Sequence, residues 1–271
     1  MANGVGSNCR GWLISSASVA GSARPSARWK APVPSGLSTK GKAAASVANC
    51  LPALTGNPVR CVLLIMTALS LTVLASADAD KIRFGNFAKS GLEGWTQKIF
   101  SGETDYRIVS DAGQKVLRAK SSAAASGLVF ETEYDPEQYP ILAWRWKIDH
   151  IIARGDSRTK SGDDYAARVY VIFPHWFFPK TKTLNYIWAN RLPKDAVQPN
   201  AYTGNAMMFA VESGSAMAGQ WVAVQRNIID DYRRAFGEDP PNVGAIAIMT
   251  DTDQTGGTAL AWYGDIEARR R

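Results

Sequence analysis

Oxygen-bearing side chains are concentrated near the C-terminus, in the stretch TDTDQTGG at residues 250–257. Asp251, Asp253 and Thr255 are spaced by two and a glycine follows, which matches the first half of a calcium loop. The twelfth position of such a loop is Trp262, which cannot supply the bidentate carboxylate that the loop requires. An EF-hand is therefore excluded, although other chemistry at these oxygens is not.

Three interpretations of this stretch remain open. The favoured one is a polar turn between two strands, in which Asp side chains hydrogen-bond the turn backbone. The second is a cation site at Asp251 and Asp253, completed by a carboxylate from elsewhere such as Asp265. The third is a loop that contacts a ligand. Calcium is thus the one candidate cofactor, and no other is predicted.

A second group of polar side chains lies in KSGDDYAARVYVIF, residues 160–173. Asp164, Arg168 and Tyr170 are separated by even numbers of residues, so in a strand they share one face. The intervening valines and Phe173 then take the opposite, core face. A charged and aromatic face suits carbohydrate, because rings stack on sugars while Asp and Arg hydrogen-bond hydroxyls. The alternative is a solvated face whose Asp–Arg pair contributes less than about 1 kcal/mol.

Three further residues are predicted to join this ligand-binding face. Arg145 points away from the apolar side of ILAWRWKID, Trp188 stands among asparagines in TLNYIWAN, and Tyr263 belongs to the run ALAWYGDI. Asp251 and Asp253 are expected on the rim. The whole predicted set on one sheet face is Arg145, Asp164, Arg168, Tyr170, Trp188 and Tyr263.

Support for catalysis in the sequence is weak. His150 and His175 are the two histidines of the chain, and no GxSxG, HExxH or P-loop motif occurs. Acids such as Asp163 could form a glycosidase pair, and Tyr170 beside Arg168 could serve a lyase, but spacing alone places neither. We therefore favour a non-catalytic module for carbohydrate or a similar polar ligand. The alternative is a polysaccharide hydrolase or lyase.

An aromatic run bounded by prolines, PHWFFPK, raises another alternative. Trp176, Phe177 and Phe178 in this run are predicted to form a lip, the aromatic lip, that contacts a partner or a membrane. On this interpretation the chain is an envelope protein–protein interaction domain. The sequence does not predict an oligomeric state.

The elements that must position these residues are mostly strands. From Asp78 onward short alternating runs are separated by turn residues, which predicts about ten strands. In ILAWRWKID the alternation points Leu142, Trp144, Trp146 and Ile148 inward. Trp262 is separated by even numbers of residues from Leu260 and Ile266, which predicts that it also lies in the core. The run IIDDYRRAFG has helical spacing and ends at a glycine. The prediction is an all-β, jelly-roll-like sandwich of two antiparallel sheets with one short helix.

The net positive charge and all of the cysteine residues are confined to one part of the chain. The net charge is +7, and the seven basic residues before residue 78 account for all of it, because no Asp or Glu precedes that point. The remainder is neutral, which argues against a nucleic-acid partner. All three cysteines, Cys9, Cys50 and Cys61, also precede residue 78. The later part therefore has no disulfide and no thiol nucleophile.

The N-terminal part has the composition of a leader. Residues 61–77, CVLLIMTALSLTVLASA, are uncharged, follow Arg60 and end in a small-x-small cleavage pattern. We interpret 59–77 as a signal peptide rather than an anchor, so the protein is predicted to be periplasmic or secreted without a stable membrane span. Residues 1–58 are either a disordered transit-like leader or, as we favour, an untranslated stretch. A single β-sandwich domain is predicted over 78–271.

Several stretches together resemble the bacterial family known as domain of unknown function 3047. They are GWTQKIFSGETDYRIV, VLRAKSSAAASGL, LAWRWKID, KSGDDYAARVYVIF, TLNYIWAN, YTGNAMMFAVESG and AIMTDTDQTGGTALAWYGDI. This resemblance covers nearly the whole of the predicted mature chain. It implies an exported β-sandwich of unassigned activity and transfers no catalytic residues. The GW opening and the closing WYGDI are also similar, in fold type only, to carbohydrate-binding jelly-rolls.

Overall fold

The computed structural model describes residues 80–271. The predicted leader, 1–58, and the predicted signal peptide, 59–77, lie outside the described residues. The strands of the described part are β1 (Lys81–Gly85), β2 (Trp95–Ser101), β3 (Asp105–Asp111), β4 (Gln114–Ser122), β5 (Ala125–Tyr134), β6 (Ile141–Ile148), β7 (Arg168–Phe173), β8 (Lys182–Ala189), β9 (Val197–Asn200), β10 (Thr203–Ser213), β11 (Val222–Asn227), β12 (Val243–Asp251), β13 (Thr258–Tyr263) and β14 (Ile266–Arg269). Within residues 80–271 there is one α-helix, α1 (Ile228–Phe236).

The strands form two seven-stranded sheets, which we call sheet I and sheet II. Sheet I has the order β1-β14-β6-β13-β4-β3, with β11 paired to the other edge of β6. Sheet II has the order β2-β5-β12-β7-β8-β10-β9. Among the described strands, β8 and β10 form the one parallel pair. The predicted two-sheet sandwich is therefore confirmed, with more strands than the predicted ten.

The core lies between the two sheets and is rich in aromatic rings. The predicted inward row of β6, namely Leu142, Trp144, Trp146 and Ile148, is buried there. The ring centres of Trp146 and Trp188 are 6.0 Å apart, and those of Trp144 and Tyr186 are 5.2 Å apart. These contacts bind β6 of sheet I to β8 of sheet II, and they place the polar residues of both strands on the outer faces.

The helix α1 was predicted with its stop at Gly237, whereas its N-terminal cap was not predicted. Asn227 caps the first turn by accepting hydrogen bonds from the backbone N–H groups of residues 229 and 230. Gly237 ends the helix in the left-handed region, at a φ of 73°. Tyr232 packs on Phe173 of sheet II, with ring centres 4.6 Å apart. No helix in residues 80–271 is long and apolar enough to cross a membrane.

The outermost strand of sheet II beyond β10 is short and contains a proline. This strand, β9, has four residues, and Pro199 lies opposite Met207 of β10. Proline has no N–H group to donate to a ladder, so it is confined to edge strands and bulges. Its position here agrees with the place of β9 at the end of the strand order.

Candidate functional site

A buried layer of polar and apolar side chains lies on the outer side of sheet II, the side that faces away from sheet I. We call it the Arg168 face and define it by Arg168 and Tyr170 of β7, Asn185 of β8, Met208 of β10 and Met249 of β12. The strand register makes these residues neighbours, because residue 168 lies opposite residue 249, and residue 170 opposite residue 185. Residue 185 in turn lies opposite residue 208.

Strand alternation explains how the local sequence builds this face. Val169, Val171 and Phe173 of β7 point into the core between the sheets, as predicted, so Arg168 and Tyr170 point outward. Small residues separate the larger ones, and they are Gly127, Ala206, Ala210, Ala245 and Ala247. These small residues are themselves buried, so other parts of the chain cover the face.

The Arg168 guanidinium lies at the centre of the site. It pairs with the Asp251 carboxylate, and its Nη1 atom is 3.8 Å from Asp163 Oδ2. Its Cζ atom lies 4.7 Å from the ring centre of Tyr165 and 5.8 Å from that of Tyr170. The side chain is 0% exposed, so the alternative of a solvated Asp–Arg face is wrong. Tyr165, from the loop before β7, covers the guanidinium that the strand pattern alone leaves open.

Several buried polar atoms on the Arg168 face have no hydrogen-bond partner in the described part of the chain. They are Arg168 Nε and Nη1, Asn185 Oδ1 and Thr183 Oγ1. The Asn185 amide nitrogen donates only to the Met208 sulfur, at 3.1 Å, which is a weak acceptor. An unsatisfied buried polar group costs about 1–3 kcal/mol, so this concentration on one face is unfavourable unless other groups satisfy it.

Two loops at one end of sheet II supply the acids of the site. Asp163 and Asp164 belong to the loop before β7, Asp251 is the last residue of β12, and Asp253 lies in the turn that follows it. Asp164 accepts hydrogen bonds from the backbone N–H groups of residues 254 and 255, at 3.2 and 2.6 Å. Asp251 Oδ1 accepts from the Tyr165 backbone N–H at 3.3 Å. The TDTDQTGG stretch is therefore a strand-joining turn, as favoured, but an acid from another loop satisfies its backbone.

Three of these acids come close enough to share a cation. Carboxylate oxygens of Asp164, Asp251 and Asp253 lie within 4.8 Å of one another. All-oxygen donors of this kind suit calcium. Asp251 is already paired with Arg168, however, while Asp253 Oδ1 is buried and lacks a partner within residues 80–271. The three acids therefore fit a weak cation site, with oxygens shared between the ion and protein donors. The suggested third acid, Asp265, is elsewhere, accepting from the Phe87 N–H at 3.0 Å.

The electrostatic balance of the site is negative, because four carboxylates surround one guanidinium. Burial raises the pKa of Asp163 to about 6, although Arg168 and the amide of Asn200 act to lower it. Burial also raises the pKa of Asp251 well above its usual range, against the lowering effect of Arg168. The pKa of Asp253 is raised by burial and by the neighbouring acid at 164. The acids of the site therefore outnumber its one guanidinium, and burial opposes their ionisation.

The predicted ligand-binding residues do not share one face. Arg168 and Tyr170 lie on the Arg168 face, and Asp164 lies in the adjoining loop. Trp188 points into the core and donates its indole N–H to the carbonyl of Gly214 at 3.0 Å, so its predicted exposure is wrong. Its neighbour Asn185 points outward instead.

Tyr263 and Arg145 also lie away from the predicted face. Tyr263 is in the core, where its hydroxyl donates to the Met249 carbonyl at 2.9 Å. The prediction that Trp262 is core is wrong, because Trp262 faces outward against Lys147, whose Nζ is 4.4 Å from the ring centre. A turn at residues 264–265 interrupts the alternation, so Ile266 does not share the phase of Trp262. Arg145 lies on the outer face of sheet I, over Trp221 at 4.6 Å.

Sequence reasoning missed several residues of the site. Asn185, Met208 and Met249 were not singled out, and Tyr165 and Asn200 were not connected with it. The available signal was in TLNYIWAN, where an amide alternates with Leu184 and Tyr186 and so cannot face the core. The aromatic lip is a separate feature, with Trp176 85% exposed.

Comparisons with known proteins show a family. Residues 93–267 match the family described as protein of unknown function (DUF3047). A comparison with curated proteins gives no match.

Among solved structures, the chain is similar to the CBM22-1 xylan-binding domain from Paenibacillus barcinonensis Xyn10C, at 10% identity and a TM-score of 0.35 over 71% of this chain and 97% of that one. It is similar to the xylan-binding module CBM15, at 11% identity and a TM-score of 0.34 over 70% and 95% of the two chains. The xyloglucanase domain of NopAA from Sinorhizobium fredii gives 8% identity and a TM-score of 0.38 over 66% and 95%. At such scores the similarities carry no inference about ligand or activity.

Proposed function

This chain belongs to the DUF3047 family of proteins of unknown function, and we propose that it is an exported, non-catalytic module that binds carbohydrate on its Arg168 face. The ligand is hydroxyl-rich and polar, and it lies across β7, β8 and β12 of sheet II. The acids of the two neighbouring loops form the rim of the site.

The observation that carries this proposal is the group of partnerless polar atoms on the Arg168 face. Donors at Arg168 and acceptors at Asn185 and Thr183 lie on adjacent strands. Sugar hydroxyls both donate and accept, so one ring can satisfy both kinds of atom at once. Restoring those hydrogen bonds removes the cost of leaving buried polar groups unpaired.

The surroundings of these atoms suit a sugar ring. Tyr165 and Tyr170 place aromatic rings on either side of the guanidinium, and amphipathic rings of this type pack against the apolar faces of sugars. Ala245 and Ala247 form the floor of the face and are fully buried. A few fixed polar groups on an apolar lining are the usual composition of small-molecule sites.

The acids of the site have structural partners, which favours binding over catalysis. Asp251 pairs with Arg168, and Asp164 accepts two backbone N–H groups, so neither carboxylate is free to act as nucleophile or base. Asp163 is the residue that favours the alternative, a polysaccharide hydrolase or lyase, because a carboxyl pKa of about 6 suits a general acid. Release of reducing ends or unsaturated products from polysaccharides distinguishes the alternative from simple binding.

Export is part of the proposal and rests on the leader-like composition of residues 59–77. The expected mature N-terminus is Asp78. N-terminal sequencing of the protein recovered from the periplasm or medium of an expressing bacterium checks this expectation. Recovery of the protein in the cytoplasm with residues 59–77 intact contradicts it.

Glycan-array screening followed by isothermal titration tests the binding proposal. We expect the full-length protein to bind at least one plant or cell-envelope glycan, and Asn185→Ala to weaken that binding at least about tenfold, or about 1.4 kcal/mol. Asn242→Ala, at an exposed loop position, is the matched control and leaves affinity unchanged. Circular dichroism establishes that both variants fold. Absence of binding to every glycan, or equal binding by both variants, overturns the proposal.

A further inference from the structure

A groove on the outer face of sheet I is lined by an unusual number of cations. Its volume is about 910 Å³, and strands β1, β6, β11 and β14 form most of its floor. The basic side chains that line it are Lys81, Arg83, Lys89, Lys115, Arg145 and Arg269. Two acids, Asp265 and Glu267, line it as well. We call this surface the cationic groove.

The acids of the groove are too few to neutralise its cations. Glu267 serves several of them at once, with Lys81 at 3.1 Å and Arg269 Nε at 2.6 Å. Asp265 accepts from a backbone N–H. Lys89 and Lys115 have no carboxylate partner in the described part of the chain. The groove therefore presents excess positive charge on a surface open to solvent.

One cation of the groove is held in a fixed orientation. Arg145 donates to the side-chain carbonyl of Gln114, and its Cζ atom lies 4.6 Å from the ring centre of Trp221. Its stem crosses Gly264 so closely that a Cβ there would be 2.5 Å from Arg145 Cγ. A planar guanidinium fixed by a ring, an amide and a glycine is arranged for bidentate contact with a carboxylate.

We propose that the cationic groove binds the carboxylates of an acidic glycan, a uronate-containing oligosaccharide. Arg145 binds one carboxylate, Lys89 and Lys115 attract its neighbours, and the amides of Asn86 and Gln225 hydrogen-bond the sugar hydroxyls. This site lies on the opposite side of the sandwich from the Arg168 face, so it does not depend on the function proposed there.

The charge distribution favours a short anionic ligand over a nucleic acid or a membrane. The residues from 78 onward are neutral overall, because all of the net charge of +7 precedes them. Long-range attraction to a polyphosphate or an anionic bilayer requires a net positive surface. A local cationic groove in a neutral domain attracts a ligand whose charges fit within the groove.

Isothermal titration of the full-length protein with trigalacturonate tests the inference, with the methyl-esterified trimer as the uncharged match. We expect the acid to bind at least tenfold more tightly than the ester, and Arg145→Ala to remove that difference. Lys115→Ala is a second variant, with a smaller loss in the same direction. Arg107→Ala, which removes an exposed arginine of β3 outside the groove, is the matched control and leaves binding unchanged.

The remaining outcomes of the titration are decisive as well. Equal binding of acid and ester, absence of binding, or unchanged affinity of Arg145→Ala overturns the inference. Tighter, Arg145-dependent binding to phosphatidylglycerol vesicles or to a single-stranded oligonucleotide also overturns it, since the ligand class is then wrong. Asn185→Ala separates the two proposals, because it is expected to weaken binding of a neutral glycan and to leave trigalacturonate binding intact.

Discussion

The two outer faces of the sandwich use similar residues in opposite ways. Arg145 on sheet I lies 4.6 Å from the Trp221 ring centre, and Arg168 on sheet II lies 4.7 Å from that of Tyr165. The first guanidinium borders an open groove, whereas the second is 0% exposed and has two nitrogen atoms without hydrogen-bond partners in residues 80–271. Solvent access, and not residue type, therefore determines how much each arginine contributes to the stability of the protein.

The polar groups elsewhere on sheet I are paired with one another. Asp111 accepts from both Lys147 and the indole N–H of Trp221, each at 2.7 Å, and Lys147 lies between the rings of Trp221 and Trp262. On the Arg168 face of sheet II, by contrast, several buried polar atoms lack hydrogen-bond partners within the described residues. The comparison indicates that sheet I tolerates loss of a partner and that sheet II does not, and the predictions below follow from it.

Arginine removal is expected to give the largest contrast between the faces. Arg168→Met leaves the buried Asp251 carboxylate without its cation, which costs about 3–5 kcal/mol of unfolding free energy. Arg145→Met removes a cation–π contact and costs less than about 1 kcal/mol. Urea denaturation of both variants measures the difference. Equal losses would show that burial does not distinguish the two arginines.

The pH dependence of stability is expected to have opposite signs on the two faces, and Asp163 is one of the acids responsible on sheet II. Its folded pKa is about 6, above the ordinary 3.8, so unfolding releases a proton between these values. The unfolding free energy therefore falls as pH rises from about 4 to about 6, by up to about 3 kcal/mol. Asp163→Asn is expected to reduce this slope in denaturation measured at several pH values, with the remainder due to Asp251. A variant with the wild-type slope contradicts the assignment to this carboxyl.

Asp111 on sheet I is expected to act with the reverse sign. Hydrogen bonds from Lys147 and Trp221 lower its pKa below 3.8, so its contribution is present above that value and is lost as the pH falls. Asp111→Asn is expected to cost about 1 kcal/mol at neutral pH. It should also change the fluorescence emission of Trp221, with Asp105→Asn as the control. Unchanged emission and stability would mean that the network is not formed in solution.

Calcium is expected to have the smallest effect, because the oxygens of Asp164 and Asp251 already have protein donors. With a dissociation constant on the order of 1 mM, about 10 mM calcium adds about 1 kcal/mol of stability. Asp253→Asn should abolish the gain in a thermal-shift experiment, and magnesium should not reproduce it. A gain that survives the substitution would place the ion elsewhere.

The sequence predicted those parts of the fold that local pattern determines. The inward row of β6 follows from strand alternation, and the helix with its stop at Gly237 follows from helical spacing and a left-handed glycine. The short strands β9 and β14 have too few residues for a periodic signal, so the strand number was underestimated. The turn between β13 and β14 interrupts the strand alternation. For this reason Trp262 was assigned to the core and Tyr263 to the outer face, the reverse of their positions in the structure.

The candidate site was predicted only in part, for a physical reason. Even spacing along a strand identifies residues that share a face, and it correctly placed Arg168 and Tyr170 on the same face. It does not identify which face packs against the other sheet, so Trp188 was placed outside and Asn185 was overlooked. Burial of Arg168 depends on Tyr165 from a loop, and pairing with Asp251 depends on contact between distant segments. Neither is encoded in local spacing.

The proline in β9 has a consequence for solubility. A sheet that ends in a regular strand offers unpaired N–H groups to other molecules, and this is a common route to intermolecular β-pairing and fibril growth. Beyond β10, sheet II ends in a four-residue strand in which Pro199 has no N–H group to offer. A neighbouring copy therefore finds an incomplete ladder at that edge, which protects a β-rich protein at high local concentration.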